Sequence, residues 1–269
     1  MGVPDISTAG MLFSSFAVII SLTILLFFKI NLKKEVMVTF IKMTVQLLLV
    51  GLYLEVMFNL NSPLINSLYI IIMIVAADFI ILKSSGFNSG LFFYTLPAYM
   101  ISIVFVLVFY TVFVFRPANF FDARYIIPVA GMLLGNSMTR TVVTLERFYS
   151  SIKQENDTYL SYLSMGATVK EAAIPFFKKA YKAGIAPSLA SYAAIGLISL
   201  PGMMTGQILG GSKPMTAVKY QIAIIFAIFA ATEISTVFAL VFSMKKGFNR
   251  NGMLNKGIFK ERVTKRSLS

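Results

Sequence analysis

The chain has no cysteine and no histidine among its 269 residues, and only 11 acidic side chains against 24 lysines and arginines. Without cysteine there is neither a disulfide nor a thiolate ligand, and without histidine the commonest imidazole base and metal ligand is missing. Nucleophile–histidine pairs, H-E-x-x-H zinc sites and intramembrane Ser–His dyads are therefore excluded, and Gly86-Phe-Asn-Ser-Gly90 reads as a loop turn. Nothing matches the phosphate-binding G-x-x-x-x-G-K-[ST], since Gly210-Gly-Ser-Lys213 lacks both the spacing and a preceding strand. The chain is thus expected to be no enzyme and to hold no cofactor of its own. Charge of any sign is scarce: 13% of residues are charged and 57% are hydrophobic, with mean hydropathy +0.79. That much apolar surface cannot be hidden inside a soluble globule, so the composition defines an integral membrane protein.

Runs of about 20 apolar residues, enough to cross a hydrocarbon core of about 30 Å, recur at roughly 9–28, 36–58, 64–82, 91–115, 125–145, 186–207 and 219–244. The expected fold is an all-α integral membrane protein of about seven transmembrane helices, multi-pass in the plasma membrane. The first run is preceded only by Asp5, without a basic n-region or a small-residue cleavage site, and reads as a retained span. Lys29, Lys33 and Lys34 after the first run, Lys83 after the third and the basic tail 245–269 share one side if the N-terminus is outside and the C-terminus cytoplasmic. Arg116 and Arg124 run against that pattern, with Asp122 between them. The tail carries Lys245, Lys246, Arg250, Lys256, Lys260, Arg262, Lys265 and Arg266. This placement assigns the net charge of +13 to the membrane surface, not to nucleic acid.

The chain therefore divides into a transmembrane domain, 1–244, and the tail, with one long polar segment inside the first. That segment, 146–184, falls on the cytoplasmic side. Tyr159, Tyr162 and Leu163, then Ala172, Phe176, Phe177 and Ala180, recur at helical steps and predict two short amphipathic helices. Met165-Gly166-Ala167-Thr168 forms the turn between them, and Thr168 with Glu171 matches the T-x-x-E capping box. Lys178, Lys179 and Lys182 precede Gly184, where they would complement the dipole of a helix ending there. Small residues at the turn, apolar anchors and flanking charge suit a coupling helix that docks on a separate motor, and equally an inner loop folded on the lipid surface.

Ionisable groups inside spans are functional candidates because burying them is costly. Lys42 and Asp78 lie at similar depth in the second and third spans and are expected to pair as a structural ion pair. Glu55 reaches the outer interface. Arg140 extends toward the inner headgroups with Glu146 as a local counter-ion. Glu233 is far from both ends of its span, so it is either a protonated, helix-packing acid or a carboxylate lining a translocation route. The sixth span ends in SLPGMMTGQILGG, Ser199 to Gly211. There Pro201 and Gly202 are expected to unwind the helix, leaving Met203, Met204, Thr205 and Gln207 in the opening. Thioethers suit soft ions, although methionine also fills gaps in packing. In the fifth span, Gly131 and Gly135 form a G-x-x-x-G pair that allows close helix approach. A homodimer seam there would bring Asn136 and Met138 to a shared axis.

The stretches PVAGMLLGNSM (Pro128–Met138), MGAT (Met165–Thr168), SLPGMMTGQILGG with Pro214, and AVKYQ (Ala217–Gln221) resemble the FetB-type iron-export permeases. These are membrane subunits of ABC transporters, and the plant aluminium-sensitivity half transporters belong with them. The resemblance covers nearly the whole chain. It implies a permease that pairs with a separate ATPase subunit binding ATP and magnesium, two copies of each, exporting iron or protecting against metal stress. The family motif falls on Pro201 to Gln207 and brings no assigned metal ligands. Leu160 stands where the wider ABC-permease loop E-A-A-x-x-x-G has glutamate, and Glu233 where a small or apolar residue is expected. Two alternatives stay open: an ion-coupled secondary transporter with Glu233 as proton carrier, and a non-transporting membrane scaffold whose tail holds anionic lipid.

Overall fold

A computed structural model describes residues 6–117, 119–249 and 251–260. Of the charged residues invoked above, Asp5, Arg250, Arg262, Lys265 and Arg266 lie outside the described residues. The helices are α1 (Thr8–Phe27), α2 (Lys33–Leu60), α3 (Pro63–Ser84), α4 (Phe92–Tyr110), α5 (Ala123–Gln154), α6 (Asn156–Ser164), α7 (Val169–Ala194), α8 (Gly202–Leu209) and α9 (Pro214–Gly247). The described residues form no regular strand. A π turn over Thr111–Phe115 prolongs α4, and a 3-10 turn over Ser89–Leu91 precedes it. Among the described residues, six helical stretches are long and apolar enough to cross a membrane: α1, α2, α3, α4 with its flanking turns, α5 and α9.

The expected sixth span is not one helix. Its first part is the end of α7, which breaks at Ile195, and its last part is the separate α8. Hydroxyl pairs link Ser137 to Thr232 at 3.3 Å, Thr141 to Thr236 at 3.0 Å and Tyr149 to Ser243 at 2.8 Å. Both partners advance together along the chain, so α5 and α9 lie side by side and parallel. The return path between them is made by α7 and α8.

At 32 and 34 residues, α5 and α9 are about 48 and 51 Å long at 1.5 Å per residue, well beyond a hydrocarbon core of about 30 Å. After the C-terminal end of α9, residues 248–249 and 251–260 fold back on the bundle. Phe248 and Ile258 are buried there with Phe87, Phe148, Tyr149 and Tyr159. Asn88 N–H donates to Ile258 O at 2.8 Å and Lys260 N–H to Gly86 O at 2.9 Å. The first part of the basic tail is therefore packed structure, and the Gly86–Gly90 turn is its docking site.

At the other end, Asn61 closes α2 in the left-handed conformation that asparagine tolerates. Its side chain accepts from Ala123 N–H at 2.9 Å, while Asn66 Nδ2 donates to Phe121 O at 2.8 Å. The α2–α3 turn is thereby pinned to the start of α5. The core is built from α3, α4, α5, α7 and α9. By contrast, Met57 is the one buried residue among those described in α1 and α2, so nearly all their apolar surface faces outward.

Two glycines let helices close up. A Cβ at Gly184 would collide with Thr144 Oγ1 on α5, and one at Gly247 would lie 2.9 Å from Tyr149 Cζ. The G-x-x-x-G pair does less than its spacing suggests: Gly131 meets Met73 on α3 at 3.4 Å, and Gly135 has nothing within 4 Å. Gly184→Ala and Gly247→Ala are each expected to cost about 1–3 kcal/mol by overpacking, whereas Gly135→Ala should be neutral or mildly stabilising. Thermal unfolding midpoints in detergent check this ranking, and equal midpoints for all three would contradict the packing described.

Candidate functional site

Three helices meet at one buried ion pair. Arg140 on α5, its side chain 2% exposed, donates through Nη1 to Glu233 Oε1 on α9, and Tyr181 on α7 donates its hydroxyl to Glu233 Oε2. The Tyr181 ring also lies under the guanidinium, with Arg140 Cζ 4.9 Å from its centroid, a favourable cation–π arrangement. Arg140 Nε and Nη2 are buried without a hydrogen-bond partner. Glu233 therefore has a cationic partner in the bundle interior, and Arg140 is not directed to Glu146, which instead accepts from Ser150 Oγ at 3.0 Å. On one side Glu233 borders an apolar cleft of about 480 Å³ lined by Ile101, Phe105, Ile234, Val237 and Phe238. Tyr181 was missed in the sequence because it reads as one more apolar-face position. Arg140 and Glu233 sit at similar depth in their spans, which is the signal that pairs them.

Lys42 and Asp78 do not meet. Asp78 is fully buried and accepts from Thr95 Oγ1 at 3.0 Å, with Oδ1 unpartnered. Lys42 is exposed on α2, and α2 packs on the bundle only near its far end, around Met57. A similar distance from the span ends does not pair two residues when one faces outward and the other into the bundle. Among the described residues no three acidic side chains gather as a metal-binding group.

Unwinding occurs before Pro201 and not after it. Gly196, at φ +85°, takes the chain out of the helix, Ala194 O accepts from both Ile198 and Ser199 N–H, and Leu197 and Ile198 are 89% and 86% exposed. Pro201 then serves as the N-cap of α8, so Met203, Met204, Thr205 and Gln207 are helical. Met204 is buried and Met203, Thr205 and Gln207 are half-buried, and Thr205 Oγ1 is spent on Pro201 O at 3.2 Å. The four therefore do not project from an unwound opening, because proline's fixed φ and missing N–H are as suited to starting a helix as to breaking one. Gly210 and Gly211 do end the helix, with Gly211 at φ +94° and Ser212 N–H donating to Gln207 O at 2.9 Å. Asn136 is exposed, its amide held by Met132 O at 2.8 Å, and Met138 packs against the core. The structure brings neither to Glu233 by any contact. On α9, Gln221 is buried with Oε1 unpartnered, a polar residue that the AVKYQ stretch contains and the reading of the sequence gave no role.

The Met165–Thr168 turn is built as its residues require. Gly166 takes φ +91°, Thr168 caps α7, and the reciprocal box forms with Thr168 N–H to Glu171 Oε2 at 2.8 Å and Glu171 N–H to Thr168 Oγ1 at 3.3 Å. Met165, at the tip, is 75% exposed. The second helix of the hairpin is not short, however. Gly184 lies inside α7, which runs on to Ala194, so Lys178, Lys179 and Lys182 do not sit at a helix C-terminus. Tyr159 anchors α6 by donating to Gly252 O at 2.7 Å, and burial pushes its hydroxyl up to about 12.

These features define a multi-pass helical membrane protein with a helix interrupted at Ile195 and an exposed, capped turn at Met165. The chain belongs to the uncharacterised protein family UPF0014, whose family model matches residues 8–248. It is 30% identical over 240 residues to the UPF0014 membrane protein YjkA of Bacillus subtilis, covering 89% of this chain and 94% of that one. It is 27% identical over 226 residues to the "Probable iron export permease protein FetB" of Escherichia coli, covering 84% and 86%. The Arabidopsis thaliana protein ALUMINUM SENSITIVE 3 is 36% identical over 156 residues, 58% of this chain and 55% of that one. No solved structure matches.

Two predictions follow from the geometry of these sites. Glu233→Leu strands a buried guanidinium and is expected to cost about 3–5 kcal/mol, while Arg140→Met with Glu233→Leu costs much less; a double-mutant cycle on thermal unfolding checks it, and additive losses would contradict the pairing. The hydrogen bonds from Thr168 hold the Glu171 carboxyl below the usual carboxylate range. Its stabilisation is therefore complete above that range and lost as pH falls through the lowered value. Hydrogen exchange at residues 169–172 should accelerate, relative to its intrinsic pH dependence, on acidification in the native chain but not in Glu171→Gln.

Proposed function

We propose that this chain is the permease subunit of an ABC-type exporter. Two copies would work with two copies of a separate ATPase that binds ATP and magnesium, moving a metal ion outward. The FetB and plant aluminium-sensitivity resemblance supplies the class, and the name of the Escherichia coli relative makes iron the first substrate to test. The chain crosses the membrane seven times in this reading, with α7 and α8 together as the discontinuous crossing, the N-terminus outside and the C-terminus in the cytoplasm. The G-x-x-x-G face of α5, left open at Gly135 and Asn136, is a candidate for the seam between copies.

One observation carries the reading. The exposed Met165 turn and the break at Ile195 are the two ends of one helix, α7. A motor pressing on Met165, Gly166 and Ala167 moves α7 along its axis, and the capping box of Thr168 and Glu171 keeps its first turn from fraying. Tyr181 is bonded to Glu233 and Gly184 is packed on Thr144, so displacement strains the α5–α7–α9 junction. It also shifts the 195–201 turn against α8, where Met203, Met204, Thr205 and Gln207 lie beside the route. Discontinuous helices are where transporters place substrate sites, because the backbone there is free to rearrange. The proton-carrier alternative is weaker, since Glu233 is engaged by a cation and a phenol instead of standing free.

The native chain lacks cysteine, so Met165→Cys gives a unique thiol. It should crosslink to the cognate ATPase in co-reconstituted vesicles, and ATP-driven iron efflux should fall on crosslinking. Efflux driven by a proton gradient in vesicles without any ATPase would refute the proposal.

A further inference from the structure

We propose a binding site for the headgroup of an anionic phospholipid in the groove between α5 and α7. The groove has a volume of about 500 Å³ and carries Arg147 and Gln154 from α5 and Lys179, Lys182 and Ala186 from α7, with Glu155 at its rim. Three cations face one carboxylate there, and that carboxylate is already taken: Lys179 Nζ lies 2.9 Å from Glu155 Oε2. Arg147 and Lys182 make no ion pair or hydrogen bond with any described residue. Two cations without a protein partner in one groove suit a phosphate, and a guanidinium does so in particular because its fork offers paired donors.

The position in the fold selects the source of that phosphate. Arg147 lies just past the apolar part of α5, where Glu146 begins its charged end. α7 runs antiparallel to this stretch, since Gly184 packs on Arg140 and Thr144 while the earlier Lys179 reaches the later Glu155. Moving away from the cations into the apolar region, α5 offers Val143, 40% exposed, and α7 offers Leu189, 49% exposed. Ala183 and Ala186 keep the trough between them open. Cations below and small or apolar side chains above match a phosphate with acyl chains attached. A soluble phosphate would use only the lower half. The site is separate from the basic tail and does not depend on transport.

The test uses the full chain purified in detergent, with thermal midpoints read after adding phosphatidylglycerol, phosphatidylcholine or inorganic phosphate. Phosphatidylglycerol should raise the midpoint, and the other two should not. The shift should be lost in Arg147→Gln/Lys182→Gln and also in Ala186→Leu, which fills the trough without altering charge. It should persist in Lys245→Gln/Lys246→Gln, a comparable loss of charge elsewhere. A shift retained in the groove variants, or lost equally in the Lys245/Lys246 pair, overturns the site. A shift reproduced by inorganic phosphate and unaffected by Ala186→Leu overturns the lipid as its ligand.

Discussion

Arg140 and Glu233 hold three helices together because neither charge is tolerable alone in apolar surroundings. The pair fixes the register of α5 against α9, and the hydroxyl bridges of Ser137, Thr141 and Tyr149 to α9 continue that register along the interface. Each such bridge in a membrane protein contributes only about 0.6 kcal/mol, so the ladder aligns more than it binds. Tyr181 brings α7 into the same arrangement through the remaining oxygen of Glu233. Any movement of α7 must therefore act on a junction whose bonds are directional and strong, and such junctions change between discrete arrangements instead of deforming gradually.

From that junction α7 reaches in two directions. One end is the capped, exposed Met165 turn, braced by α6 and by the folded-back chain at Gly252, where Tyr159 donates to the backbone. The other is the turn at Gly196, with two apolar side chains pointing outward and α8 beyond it. Pro175 and Pro187 lie within α7 and each removes one helical hydrogen bond, yet the helix continues through both.

Much of this was legible in the residues. Length and hydropathy located α1 to α3, and α4 with its flanking turns, to within about three residues but stopped nine residues short of the end of α5 and took the α7–α8 break for one span; the capping box of Thr168 and Glu171 was readable because its signal is local. The G-G stop after α8 was readable for the same reason. What failed depended on which way a helix faces. Lys42 faces outward while Asp78 is buried, and Arg140 was matched to a near neighbour in sequence when its partner lies on another helix. Pro201 was misread because proline permits two opposite outcomes, and only the preceding Gly196 turn decides between them. Gly184 resembled a helix end but is a contact point, a distinction that requires Thr144 on the facing helix to be known.

Transmission through α7, as proposed, requires the helix to move as one unit between the turn and the break. Spin labels at Lys170→Cys and Ser191→Cys, both exposed on α7, would stand about 32 Å apart along an unbroken helix, within reach of pulsed dipolar spectroscopy. In a complex with the proposed ATPase partner, that distance should stay fixed between nucleotide-free and ATP-trapped states while the distance from Lys170→Cys to Met215→Cys on α9 changes. If instead the distance within α7 shortens and the one to α9 stays constant, the helix bends at its prolines, and the transmission described here is wrong.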